Sequence, residues 1–240
     1  MNMQAIILAA GIGKRLQPLT HEIPKCLIQV GNFVILGRIL DSLKANGICD
    51  IIITTGPFEE KIKGFVAQHY PALNTIYVKN DQYDKTNYIY SLWLARDYIK
   101  GDIILMHGDL VYDPLLMRRV VLNDETCVLV HKNVVSEKDF NARVENGRIR
   151  EIGVKVFGES ARFCVPLYKV LKDDWKEWMD EMGRFVERGE VTCYAENALN
   201  NITDRVKLAP LFFDEEFAME VDDFDDLKKA ESIVKNYYFV

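Results

Sequence analysis

The 240-residue chain is 49% hydrophobic and 28% charged, which are globular proportions and exclude a disordered or low-complexity protein. A net charge of −6 with no basic stripe argues against nucleic acid as a partner. No run approaches the ~18 consecutive apolar residues of a membrane span, so no membrane association is expected. The opening Met1-Asn2-Met3-Gln4 lacks the cationic stretch of a signal peptide. Five widely spaced cysteines (Cys26, Cys49, Cys127, Cys164, Cys193) contain no C-x-x-C pair and suggest neither zinc nor a disulfide framework. A cytoplasmic location is expected from this cysteine usage.

Strand and helix signals alternate through the first half. Ala5–Ala9 is a short apolar run ending toward glycine, the pattern of a buried parallel strand. Residues 33–46 carry apolar side chains at 35, 36, 39, 40 and 43, a helical stripe, with Gly47 as C-cap. Strands are predicted at 50–55, 75–78 and 102–106, and helices at 59–69, stopping before Pro71, and at 87–99. Single helices between strands imply right-handed crossovers and a mostly parallel sheet covered on both faces. Residues 127–132 read as a strand. Residues 141–144 and 148–152 flank Asn146-Gly147, a hairpin signal. A long amphipathic helix is predicted over 170–188, with Trp175 and Trp178 as core or interface anchors. Residues 211–240 hold nine acids against three lysines, the whole charge imbalance, and read mainly as a solvated terminal helix over 223–236. The fold class expected is α/β, with a Rossmann-like, mostly parallel sheet flanked by helices. One domain is expected over 1–240, with a small, less regular lobe near 130–205 and a return to the core over 206–240.

The segment Leu8-Ala9-Ala10-Gly11-Ile12-Gly13-Lys14-Arg15-Leu16-Gln17-Pro18-Leu19-Thr20, followed by Pro24-Lys25-Cys26-Leu27, runs from a strand into a small-residue turn. Such a turn lets backbone N–H groups approach an anion, and Lys14, Arg15 and Lys25 concentrate cations beside it. This suits a polyphosphate. It is not a P-loop, which requires G-x-x-x-x-G-K-[ST]. Nor is it a dinucleotide fingerprint, because Leu16-Gln17-Pro18 stands where a third glycine would open a helix.

The string resembles the signature of the nucleotidyltransferase family that makes nucleotide-sugars and CDP-alcohols. The resemblance implies a nucleotide-diphospho-sugar transferase type of fold and a triphosphate held by Leu8, Ala9, Ala10, Gly11 and Gly13. It makes Lys25 and Arg15 the catalytic cations. It also implies an Mg²⁺ cofactor. Asp109, in the strand-end string His107-Gly108-Asp109, matches the family's metal aspartate, and Gly108 its neighbouring glycine. Met219-Glu220-Val221-Asp222 matches the family's second metal motif, with Asp222 as ligand and Glu220 left open. His107 reads as structural, since Mg²⁺ prefers oxygen.

The string Tyr83-Asp84-Lys85-Thr86-Asn87-Tyr88-Ile89-Tyr90-Ser91-Leu92 looks like the N-N-x-x-S-L element of the cytidylyltransferase branch, typified by CTP:phosphocholine cytidylyltransferase, although Tyr88 replaces the second Asn. It implies CTP as donor and Asn87 and Ser91 at the nucleotide. Gly56 is expected to let a base or ribose approach. On the acceptor side, Tyr194 and Glu196 would suit a choline or amino headgroup. Arg143 and Arg162 would instead suit a carboxylate. Phosphocholine, aminoethylphosphonate and a phospho-amino acid therefore stay open as the small phosphorylated acceptor. The reaction implied is attack of the acceptor's phosphate or phosphonate oxygen on the α-phosphorus, with pyrophosphate leaving. Rival readings are a sugar-1-phosphate nucleotidyltransferase using UTP or dTTP and a non-catalytic nucleotide-binding module. Lys25, Asp109 and Asp222 argue against the latter. Whether the chain forms a homodimer stays open.

Overall fold

The computed structural model describes residues 3–236. The signal-peptide expectation rests partly on Met1 and Asn2, which lie outside them. In chain order the elements are β1 (Gln4–Ala9), β2 (Gln29–Val30), β3 (Phe33–Val34), α1 (Ile35–Ala45), β4 (Asp50–Thr55), α2 (Glu59–His69), β5 (Asn74–Lys79), α3 (Tyr88–Ala95), β6 (Ile103–His107), β7 (Leu110–Tyr112) and α4 (Pro114–Leu122). They continue with β8 (Cys127–His131), β9 (Asn141–Glu145), β10 (Arg148–Gly153), β11 (Ala161–Val170), α5 (Lys172–Glu187), α6 (Ala195–Asn200), β12 (Ala209–Phe213), β13 (Ala218–Glu220) and α7 (Phe224–Asn236).

Strands β5, β4, β1 and β6 pair in parallel, in that spatial order. β11 joins β6 antiparallel, β8 joins β11 antiparallel, and β12 joins β8 in parallel. The parallel half has the α/β arrangement expected from the alternating elements. Period-2 alternation divides its side chains between two faces. Ala5, Ile7, Ile51 and Ile53 pack in one apolar cluster with Leu36 and Leu40 of α1. Ile6 and Ile52 pack in the other with Leu92 of α3 and Trp178 of α5. The tryptophans are core anchors: Trp175 and Trp178 are buried, and Trp178 Nε1 donates to the Ala195 carbonyl at 2.9 Å.

Several boundaries differ from the sequence reading. The helix expected over 170–188 starts at Lys172, because 161–170 is a ten-residue strand. Pro166 lies inside that strand, where a proline removes a ladder donor; the register with β8 shifts between Val165 and Tyr168, a bulge that accommodates it. The helix from 87 ends at Ala95, with Asn87 as its N-cap, and passes into a 3₁₀ turn. The Asn-Gly hairpin forms as expected, with φ 51° at Asn146 and 72° at Gly147. β13 ends at Glu220, and Asp222 lies two residues beyond it. β13 pairs antiparallel with β7, Glu220 opposite Leu110, and this short ribbon returns the C-terminal segment to the end of β6.

Candidate active site

A cleft of about 390 Å³ opens at the carboxyl ends of the parallel strands, where α/β sheets place their ligands. Leu8, Ala9, Ala10, Gly11, Gly13 and Arg15 line one wall, and Lys25, Gly108, Asp109, Asp222, Asn87 and Ser91 complete it. Gly13 has φ 61°, a left-handed value that favours glycine. Thr20 Oγ1 donates to the Gly13 carbonyl at 2.7 Å and braces the turn. A Cβ on Gly11 would meet nothing within 4 Å, so that turn is open.

Four charged groups converge from distant parts of the chain. Lys25 Nζ bonds both Asp109 Oδ2 and Asp222 Oδ1. Arg15 reaches Asp222 Oδ2 at 2.8 Å while its own side chain stays 63% exposed. Burial opposes a charged Lys25, but the two aspartates outweigh it and hold the ammonium above the ordinary lysine range. Burial also pushes Asp222 up, yet Lys25 and Arg15 bring it below the usual carboxylate range. Asp109 Oδ1 is buried without a hydrogen-bond partner. Two carboxylates, one oxygen of which is orphaned, fit a hard oxygen-seeking cation. Beside them His107 Nδ1 meets Glu220 Oε1 at 2.7 Å. Burial alone would lower His107; Glu220 prevails and lifts it to about 9.

The far wall depends on a residue the sequence reading missed. Asn80, buried at the end of β5, donates to Thr86 Oγ1 and Ser91 Oγ, each at 3.0 Å, and accepts from Gln82 N–H at 2.9 Å. It thereby fixes the loop that leads into α3. An asparagine directly after a strand and before a turn was the available signal. Asn87 caps α3 by accepting from Tyr88 N–H at 2.7 Å. Ser91 is buried, so it meets the cleft from behind this network.

Five predicted residues are placed otherwise. Gly56 does not line the cleft. A Cβ there would stand 2.3 Å from the Ala10 carbonyl oxygen, so this glycine lets β4 approach the Ala10 turn rather than a base or ribose. Arg143 pairs with Glu151 across the β9–β10 hairpin at 2.9 Å. Arg162 donates to the carbonyls of Lys132, Glu159 and Ala161. Neither arginine reaches the cleft. Glu196 is buried behind it, accepting from the hydroxyls of Tyr88 and Tyr168. Tyr194 sits against Tyr88 and Phe140, with ring centroids 5.8 and 4.9 Å apart, so only Tyr88 of this group forms the wall. Asp226, read as a solvated acid, is instead 6% exposed and bonded to backbone N–H groups.

The sheet, the glycine turn and the paired carboxylates define a nucleotide-handling α/β protein. Residues 4–144, more than half of the chain, match the Nucleotidyl transferase family, and the chain belongs to that family. The bifunctional IPC transferase and DIPP synthase of Aquifex aeolicus is 30% identical over 79% of this chain, which spans 46% of that protein. The CTP:phosphoglutamine cytidylyltransferase of Campylobacter jejuni is 30% identical over 64% of this chain, which spans 66% of that protein. The choline-phosphate cytidylyltransferase of Streptococcus pneumoniae is 27% identical, with 98% of this chain and 99% of that protein covered. The solved structure of CTP:phosphocholine cytidylyltransferase from Streptococcus pneumoniae shares the fold, with a TM-score of 0.84 at 21% identity, covering 98% of this chain and 100% of that one. No helix among the described residues is long and apolar enough to cross a membrane.

Proposed function

We propose that this chain is a cytidylyltransferase that moves CMP from CTP to a small phosphate or phosphonate acceptor bearing an amino or ammonium group, releasing pyrophosphate. The observation that carries this is the meeting of Lys25, Asp109 and Asp222 beside the Gly11–Gly13 turn, in a chain with cytidylyltransferase relatives. The turn's N–H groups and Arg15 would bind the triphosphate, and Lys25 would offset charge on the transferring group. Asp109 and Asp222 would hold Mg²⁺, which when bound neutralises triphosphate charge. The Asn80–Thr86–Ser91 network would orient the base through Asn87 and the start of α3. The acceptor oxygen attacks the α-phosphorus and pyrophosphate departs in line, so positioning dominates and no covalent nucleophile is needed.

The acceptor's charge follows from what stands near Tyr88. Arg143 and Arg162 are engaged elsewhere, whereas Glu196 lies behind the wall that Tyr88 forms; the protonated His107 already offsets Glu220. An aromatic ring backed by a carboxylate suits a cation better than a carboxylate. Pyrophosphate release, measured with four nucleoside triphosphates against phosphocholine, aminoethylphosphonate, a phospho-amino acid and a sugar 1-phosphate, tests both parts. Turnover should require CTP and an amine-bearing acceptor. Turnover with UTP or dTTP and a sugar 1-phosphate, but not with CTP, would reject the assignment.

A further inference from the structure

Asp222 is aimed by more than its ion pairs, because its backbone is pinned on both sides. Upstream, Val221 N–H donates to the Asp109 carbonyl at 3.0 Å, which ties the chain leaving β13 to the other carboxylate-bearing residue. Downstream, Asp226 Oδ2 accepts from Asp222 N–H at 3.1 Å and from Asp223 N–H at 3.3 Å. Asp223 Oδ1 in turn accepts from the N–H groups of Asp225 and Asp226, each at 2.9 Å. This is the reciprocal pattern of a capping box, with aspartate where glutamate or glutamine is usual. Asp223 already caps α7. The second bond from Asp226, to Asp222, fixes a residue beyond the helix end.

A carboxylate as buried as Asp226 needs compensation. Lys138 supplies it, pairing with Asp226 Oδ1 and reaching Asp223 Oδ2 at 3.5 Å. Lys138 belongs to the segment between β8 and β9. That segment is itself held in place: Ser136 N–H donates to Asn141 Oδ1 at 2.8 Å, and Asn141 Nδ2 donates back to the Ser136 carbonyl at 2.7 Å.

We propose that Asp226, neutralised by Lys138, is the positioning residue that orients Asp222 toward Asp109. The inference rests on Asp222 being a metal ligand. Loss of the Asp226 bonds frees the 222–223 backbone, and the Asp222 carboxylate then no longer meets a metal at a fixed distance from Asp109. Groups that orient a ligand in this way typically contribute 10–100-fold to metal affinity.

The test is Mn²⁺ binding to the full chain in the presence of CTP, read from the paramagnetic resonance signal of free Mn²⁺. Asp226→Ala should weaken Mn²⁺ by about 10–100-fold, while the CTP KM at saturating Mn²⁺ stays near that of the parent. Asp226→Asn keeps an acceptor oxygen for the two N–H groups and should restore most of the binding. Lys138→Met should weaken Mn²⁺ in the parent but not beside Asp226→Asn, because an amide needs no counter-ion. If Asp226→Ala unfolds, the Asn and Met variants carry the test alone. Parent-like Mn²⁺ affinity in Asp226→Ala overturns the inference, as does an Asn variant as weak as the Ala variant. A parent that binds no Mn²⁺ with CTP refutes the metal role of Asp222 first, and so separates the two failures.

Discussion

Lys25→Met removes the one ammonium shared by Asp109 and Asp222 and keeps most of the side-chain stem. Both members of the Lys25–Asp109 pair are 15% exposed, and Asp222 is 19% exposed. Breaking a fully buried pair costs about 3–5 kcal/mol because a charge is left uncompensated. Here the loss should fall below that ceiling, since water reaches the group and Arg15 stays on Asp222 at 2.8 Å. Chemistry should suffer as well. A preorganised charge aimed at the transferring phosphoryl is worth about 10²–10³ in kcat, or roughly 2.7–4 kcal/mol. Steady-state pyrophosphate release should therefore show kcat down by about that factor, with thermal unfolding still cooperative at a lower Tm. Mg²⁺ should raise the variant's Tm, because a divalent ion replaces the missing positive charge. A variant with the parent's kcat would refute the role given to Lys25.

Gly56→Ala would force a Cβ to within 2.3 Å of the Ala10 carbonyl, so the turn must shift; CTP KM should rise and Tm fall, measured by kinetics and calorimetry. Asn80→Ala leaves Ser91 and Thr86 without their donor, and should cost about 1–3 kcal/mol in denaturant unfolding. For Glu216, burial raises the carboxyl pKa, but backbone N–H groups and Arg119 at 2.6 Å prevail, and the folded value is lowered. Its contribution to stability is therefore complete above the ordinary carboxylate range and is lost as pH falls through the lowered value. Unfolding of Glu216→Gln followed from pH 6 to pH 3 should show a shallower loss than the parent.

The parallel half was legible because its strands are short apolar runs between single helices, a pattern set by burial on both faces. The glycine turn and the convergence of Asp109 and Asp222 on it were legible because each lies in a contiguous motif. What escaped depended on partners distant in sequence. Pro166 hid β11, since only the bulge opposite β8 makes a proline acceptable there. Arg143 and Arg162 looked free until the fold supplied Glu151 and three carbonyls. Asp226 looks like one more solvated acid in the sequence, although Lys138, 88 residues away, neutralises it. The acidic C-terminal segment thus divides: Asp222 and Asp226 turn inward, and Asp225 remains exposed.

Cytidylyl transfer to an amine-bearing phosphate or phosphonate is tested by offering the protein equimolar CTP, UTP, ATP and dTTP with Mg²⁺, phosphocholine, aminoethylphosphonate and glucose 1-phosphate, and identifying products by mass spectrometry. A CMP-linked amine acceptor and stoichiometric pyrophosphate are expected. A UDP- or dTDP-sugar as the sole product would contradict that assignment.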